Sequence, residues 1–120
     1  MNIKILLYTS KNVIILSSMG EFISECIVPV DEQIQTIKYD EENTKTFYLK
    51  TENHLYIYYF SDEECKPIKK YRTYFPNYDF WMVGFMLVVQ SENNWYYIDV
   101  QNDTLHHFEL PDNQCTEMKV

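Results

Sequence analysis

The stretch MLVVQSENNWYYIDVQNDTL, residues 86–105, carries the pattern that decides the fold. An apolar run at 86–89 precedes a polar segment with two asparagines, and a second apolar run follows at 95–98. Asparagine tolerates the positive φ of tight turns, so two such runs around a short polar segment predict a β-hairpin. Another polar segment, 99–103, then leads to a third run. The stretch therefore predicts short antiparallel strands that follow one another directly.

The same arrangement occurs three times along the chain. The polar segments 10–12, 51–53 and 91–93 share the pattern Ser/Thr, Lys/Glu, Asn and begin about 40 residues apart. Apolar runs flank each of them, at 5–8 and 13–16, at 47–49 and 55–59, and at 86–89 and 95–98. Weaker third runs follow at 21–28, 67–71 and 104–110, and fourth runs at 33–39, 79–83 and 115–120. The pattern predicts one domain, residues 1–120, of three antiparallel meander units spanning approximately 1–40, 41–81 and 82–120.

Composition agrees with an all-β fold. The chain has no alanine but contains 11 Tyr, 7 Phe and 2 Trp, and aromatic side chains suit pleated sheet surfaces better than helices. Two segments carry helix-start features, at 31–37 and at Ser61 with Glu64. We therefore expect at most one or two short helices within the all-β fold.

A period near 40 residues with several strands in each unit is typical of propeller blades. Residues 86–105 resemble a generic β-propeller blade, with strand, Asp, polar turn and strand in succession. The resemblance implies a propeller-like fold of three repeated units. Three is fewer than the four to eight blades of ordinary propellers, so a β-trefoil and a β-sandwich remain alternative architectures.

The net charge of the chain restricts the classes of partner that it is expected to bind. Eighteen Asp and Glu against ten Lys and Arg give a net charge of −8, and Arg72 is the only arginine. Nucleic acid and anionic membranes would repel such a chain, even though Lys66, Lys69, Lys70 and Arg72 lie close to aromatic residues. The composition therefore predicts a basic protein as partner, with no nucleic acid and no membrane.

The cysteines and the lengths of the apolar runs predict the cellular compartment of the protein. Cys26, Cys65 and Cys115 are odd in number and show no Cys-x-x-Cys spacing, which argues against a disulfide framework and a zinc site. No run approaches the length of a membrane span or of a signal-peptide apolar region. We expect three reduced thiols and a cytoplasmic protein.

Motifs for catalysis and cofactor binding are missing from the sequence. It contains no nucleophile elbow, no phosphate-binding glycine loop and no dinucleotide fingerprint, and it has only two glycines. His106 and His107 are neighbours, but neighbours on a strand point to opposite faces and cannot easily share one ion. We therefore expect no enzymatic activity, no cofactor and no metal site.

Charged loops and aromatic strands are the candidate binding residues. Two acidic triplets lie in predicted connections, and β-strand 55–59 is aromatic on both faces. Tyr and Trp are favoured in protein interfaces because they combine apolar area with a polar group. The predicted contacts are Asp40, Glu41, Glu42, Asp62, Glu63 and Glu64 for charge, with Tyr56, Tyr58 and Trp95 as aromatic anchors.

In size, charge and lack of motifs the chain is similar in type to small acidic immunity proteins and antitoxins of bacteria. That similarity implies a stoichiometric inhibitor that occludes the active surface of a basic, nuclease-like toxin. The alternatives are a propeller-like scaffold or ligand-binding module, and a phage-encoded inhibitor that mimics nucleic acid. Open strand edges also predict a homodimer, because exposed edges must be covered.

Overall fold

The computed structural model describes residues 4–28, 32–39, 45–75 and 77–109. Within these ranges there are eleven β-strands and no helix, which confirms the all-β class. The strands are β1 (Lys4–Tyr8), β2 (Asn12–Ser17), β3 (Phe22–Ile27), β4 (Thr36–Tyr39), β5 (Thr46–Lys50), β6 (His54–Phe60), β7 (Cys65–Arg72), β8 (Asp79–Val83), β9 (Met86–Ser91), β10 (Asn94–Asp99) and β11 (Thr104–His107). Of the two segments with helix-start features, residues 32–35 lead into β4, which begins at Thr36, and Ser61–Glu64 form the turn between β6 and β7.

The strands form three antiparallel sheets. Sheet 1 contains β1–β3, sheet 2 contains β4–β7 and sheet 3 contains β8–β11. In each sheet, strands that are consecutive in the chain are also hydrogen-bonded neighbours. Each sheet is therefore a simple meander, the arrangement of a propeller blade, as the resemblance implied.

The sheets begin one strand earlier than the sequence repeat predicts. Strand β4 falls in the predicted unit 1–40, but it pairs with β5, Thr36 lying opposite Lys50. Strand β8 falls in the predicted unit 41–81, but it pairs with β9, Asp79 lying opposite Gln90. The fourth runs were thus assigned to the wrong units. The repeated motif locates hairpins correctly, whereas it contains no information on which sheet a connecting strand joins.

The three predicted hairpins are confirmed, but the first turn lies one residue earlier than predicted. Thr9 N donates to Asn12 O at 2.9 Å, and Thr51 N donates to His54 O at 3.0 Å. The first turn therefore begins at Thr9, one residue before the predicted Ser10. The Thr9 and Thr51 hydroxyls each accept a hydrogen bond from the backbone N–H three residues later, at 3.1 Å. This local bond explains why Ser or Thr begins the turn.

The chain divides into two compact units, Met1–Tyr74 and Phe75–Val120. In the first unit, Val13 and Ile15 of sheet 1 share a core cluster with Phe47 and Tyr58 of sheet 2, whose rings stack at 5.1 Å. In the second unit, side chains on one face of sheet 3 are buried: Phe80, Leu87, Val89 and Ile98. The described residues include no helix long and apolar enough to cross a membrane.

A disulfide joins Cys26 of β3 to Cys65 of β7, with the two Cα atoms 5.5 Å apart. The prediction of three reduced thiols is therefore wrong, and Cys115 lies outside the described residues. The two cysteines are 39 residues apart in sequence, and they meet because β3 and β7 pack together in the first unit. Disulfides persist in oxidising environments, so the cysteines no longer support a cytoplasmic location, which stays a prediction.

Candidate functional site

The turn between β6 and β7 presents an acidic group of side chains. Asp62, Glu63 and Glu64 are all exposed. Ser61 fixes the backbone beneath them, because its N–H donates to Glu64 O at 2.8 Å and its hydroxyl accepts from the N–H groups of Glu63 and Glu64 at 3.3 Å. The hydrogen-bonded turn therefore holds three carboxylates at one end of sheet 2.

The connection between β4 and β5 leaves from the same end of sheet 2. Asp40, Glu41 and Glu42 lie outside the described residues, but the strands on both sides of them are described. The Lys45 carbonyl, just before β5, accepts a hydrogen bond from Phe60 N at 3.0 Å, and Phe60 directly precedes the acidic turn. The strand ends that flank the two connections therefore lie at one end of sheet 2, which we call the acidic end of sheet 2.

Two lysines also lie at this end: Lys45 directly precedes β5, and Lys66 is in β7. Lys66 Nζ lies 3.5 Å from Glu64 Oε1, and both side chains are about half exposed. An exposed pair of this kind contributes little to stability and is weakened further by salt. The two other carboxylates of the turn, Asp62 and Glu63, face solvent. The acidic end can therefore attract a positively charged surface.

The three predicted aromatic anchors are buried. Tyr56 is 4% exposed, Tyr58 is 2% exposed and Trp95 is 6% exposed. The two tyrosines belong to the core of the first unit, and Trp95 stacks on Trp81 at 5.7 Å between ring centroids. These side chains do not present their rings to a partner in the described conformation. Both faces of β6 are buried, since Leu55 and Ile57 on its other face are also almost inaccessible to solvent.

A polar cluster that the sequence did not predict surrounds Glu32. One of its carboxylate oxygens accepts hydrogen bonds from the Thr51 hydroxyl and from Asn53 N, the latter at 3.1 Å. The other accepts from His54 Nδ1 at 2.7 Å. Burial alone would raise the pKa of Glu32, but these hydrogen bonds outweigh it and lower the pKa to about 2. The cluster ties the segment before β4 to the turn between β5 and β6.

The order of the groups in this cluster argues for a structural role. In a hydrolytic triad the imidazole lies between the hydroxyl and the carboxylate, so that it can accept the hydroxyl proton. Here the Thr51 hydroxyl and the His54 imidazole both donate to the same carboxylate. The Thr51 hydroxyl is therefore bonded to a carboxylate whose lowered pKa makes it a weak base, and Thr51 itself is fully buried. Glu32 lies 19 residues before Thr51, so only the folded chain reveals the cluster.

The two neighbouring histidines point to opposite faces of sheet 3, as predicted. His106 pairs with Tyr97 and stacks on its ring at 4.7 Å, whereas His107 pairs with Tyr96 and contacts its ring at 4.9 Å. Both rings are exposed at the β11 edge of the sheet. In this part of the chain the imidazoles act as aromatic packing groups for the tyrosines of β10.

Comparison with known proteins identifies the fold and not the family. No family model matches the chain, and no curated protein matches it. Among solved structures, the N-terminal domain of Nup159, a β-propeller, is similar with a TM-score of 0.57 and 13% sequence identity. The match covers 88% of this chain and 30% of that chain. The likeness shows that the meander sheets of this protein are propeller-like.

Proposed function

We propose that this protein is a binding domain that recognises a basic surface on another protein through the acidic end of sheet 2, without chemistry of its own. In its specific form, the partner is a basic, nuclease-like bacterial toxin whose active surface the domain occludes. The observation that supports the proposal is that the exposed acidic turn 61–64 lies at the same end of sheet 2 as the strand ends flanking the second acidic connection, on a chain with a net charge of −8.

Electrostatics and fold both support this role. Clustered carboxylates steer a basic partner toward the end that carries them and raise the association rate. Loops held by a rigid sheet are where binding residues commonly lie. Since Tyr56, Tyr58 and Trp95 are buried, the proposed contact set is reduced to the six carboxylates.

A second candidate is a scaffold module within a larger propeller-like assembly. The match with the Nup159 domain favours it, because the chain spans only 30% of that chain. A scaffold of this kind would bind its neighbours through sheet faces and would not depend on the acidic end.

The test compares two triple variants of equal charge. Asp62→Asn, Glu63→Gln and Glu64→Gln together neutralise the acidic turn, whereas a control variant neutralises three exposed carboxylates elsewhere, Glu21→Gln, Glu52→Gln and Glu92→Gln. The parent and both variants are immobilised, incubated with a bacterial lysate at low salt, and the captured proteins are quantified by mass spectrometry.

We expect the parent and the control variant to retain the same basic proteins and the turn variant to lose them. For a captured partner, association with the turn variant should be slower and less dependent on salt. Stoichiometric inhibition of that partner's nuclease activity would support the toxin-inhibitor form. Equal capture by the turn variant, or equal loss in both variants, would reject the acidic end as the recognition surface.

A further inference from the structure

Sheet 1 has one face that is apolar and open to solvent. Cross-strand partners point to the same side of a sheet, and the registers pair Ile5 with Leu16, Leu7 with Ile14 and Leu16 with Phe22. Ile27 lies on the same side, opposite Asn12. We call this the outer face of sheet 1, and its apolar side chains are Ile5, Leu7, Ile14, Leu16, Phe22 and Ile27.

The opposite face of sheet 1 packs into the core of the first unit. Val13 and Ile15 are fully buried and Cys26 is 3% exposed, all within the core shared with sheet 2. On the outer face, by contrast, Leu7 is 51% exposed, Phe22 66% and Ile27 72%. An antiparallel sheet with one solvated face normally carries polar side chains there. Contiguous exposed apolar patches of this extent mark interaction surfaces.

Few charged side chains lie on or beside the outer face, and one of them is Glu21, which is exposed in the turn before Phe22. Glu25 of β3 lies on this face opposite Ile14, and its carboxylate accepts a hydrogen bond from Asn12 Nδ2 at 3.0 Å. Lys11 is exposed in the turn between β1 and β2. The face thus has an acidic group on the β3 side and a basic group at one end of the β1–β2 hairpin.

We propose that the outer face of sheet 1 binds the same face of a second copy of this chain. A twofold axis parallel to the strands lays β1 of one copy over β3 of the other, which directs Lys11 toward Glu25 of its partner copy. The two sheets would pack face to face at about 10 Å, as apolar sheet faces do. Self-complementary charge on one patch is what an isologous interface requires.

The size of the face sets the expected strength. The exposed parts of six such side chains would bury on the order of 1,000 Å² over both copies, which is the lower limit for a specific interface. We therefore expect a reversible dimer with a dissociation constant in the micromolar range. Because each copy carries a net charge of −8, screening of their repulsion should strengthen the dimer as salt increases. Binding of a basic partner at the acidic end has the opposite salt dependence.

Sedimentation velocity of the purified chain from micromolar to submillimolar concentration tests the proposal. Phe22→Gln should raise the dissociation constant of the dimer by about tenfold or more, because it places a polar amide in the apolar contact. Phe85→Gln is the matched control, since Phe85 is 64% exposed and lies in the turn between β8 and β9. It should leave the dimer unchanged.

A charge exchange tests the orientation. Glu25→Lys and Lys11→Glu should each weaken the dimer, and the double variant should restore it, because the exchanged charges face each other again. A monomer at every concentration and salt, an equal effect of Phe85→Gln, or a double variant no stronger than the single ones would overturn the proposal. None of these measurements involves a basic partner, so they do not depend on the proposed function.

Discussion

The Tyr58 hydroxyl, like that of Thr73, is an exception among the buried polar groups of the first unit. It lies in the core and has no hydrogen-bond partner among the described residues. Burial, and to a smaller extent the charge of Tyr56, raise the pKa of Tyr58 to about 12. A buried hydroxyl without a partner costs about 1–3 kcal/mol of stability. The Tyr58 ring stabilises the core through its stack on Phe47, whereas its hydroxyl oxygen does not.

Tyr58→Phe should therefore raise the free energy of unfolding, by about 1 kcal/mol, because it removes the unsatisfied oxygen and keeps the ring. Tyr58→Leu is the control, and it should lower the free energy of unfolding by about 2 kcal/mol or more through loss of aromatic packing. Urea unfolding followed by fluorescence measures both. A Tyr58→Phe protein less stable than the parent would show that the hydroxyl has a partner, such as a buried water.

Glu32 contributes stability that depends on pH. Its pKa lies at about 2 in the folded chain against 4.5 for the unperturbed group, so its contribution is complete above pH 4.5 and is lost as the pH falls toward 2. Since its side chain is 21% exposed, we discount the full linkage energy for solvent screening. Glu32→Gln should lower the free energy of unfolding by about 1–2 kcal/mol at pH 7.

The difference between the parent and Glu32→Gln should narrow below pH 4.5 and vanish near pH 2, as the parent carboxylate becomes protonated. Urea unfolding at a series of pH values measures it, with Glu21→Gln as an exposed control that should leave stability nearly unchanged. If the difference in unfolding free energy stayed constant across this pH range, the hydrogen bonds to Glu32 would not depend on the ionised form of its carboxylate.

At the scale of strands and turns, local features were predictable and pairing between distant segments was not. The three hairpins depend on neighbouring residues, and a Ser or Thr hydroxyl at the start of the turn is visible in the sequence. The predicted first turn begins one residue late, because the motif match starts at Ser10, whereas the hydroxyl that accepts the Asn12 N–H belongs to Thr9. Strand β4 pairs with β5 and strand β8 pairs with β9, and the sequence repeat does not specify either pairing.

We expect the disulfide between β3 and β7 to contribute strongly to the stability of the first unit. A disulfide that closes a loop of 39 residues typically stabilises a protein by about 2–4 kcal/mol, through restriction of the unfolded chain. The double variant Cys26→Ser, Cys65→Ser should lose this amount. Addition of a reductant should destabilise the parent to the same extent and leave the double variant unchanged.

Thiol counting provides the independent check on this link. The chain has three cysteines, so the denatured, unreduced parent should react with a thiol reagent at Cys115 alone. After reduction all three should react. Three reactive thiols before reduction would mean that Cys26 and Cys65 are not bonded in the isolated protein.

Over the whole molecule, the fold class could be predicted from the sequence because it depends on the pattern of the strands, and the exposed position of Asp62, Glu63 and Glu64 could be predicted from their charge. The burial of Tyr56, Tyr58 and Trp95 could not, because an aromatic strand looks the same whether it faces a partner or a neighbouring sheet. The Glu32 cluster and the disulfide also required the folded chain. Both depend on segments that meet only through tertiary packing.

The Cys26–Cys65 bond also determines what a protease can release from this protein. Both acidic connections of sheet 2 lie wholly between the two cysteines, from Tyr39 to Lys45 and from Phe60 to Cys65. A single cut in either connection leaves the two fragments covalently joined. The nicked protein would keep both fragments until it is reduced, whereas one cut in each connection would release the segment between them, which contains β5 and β6 and no cysteine.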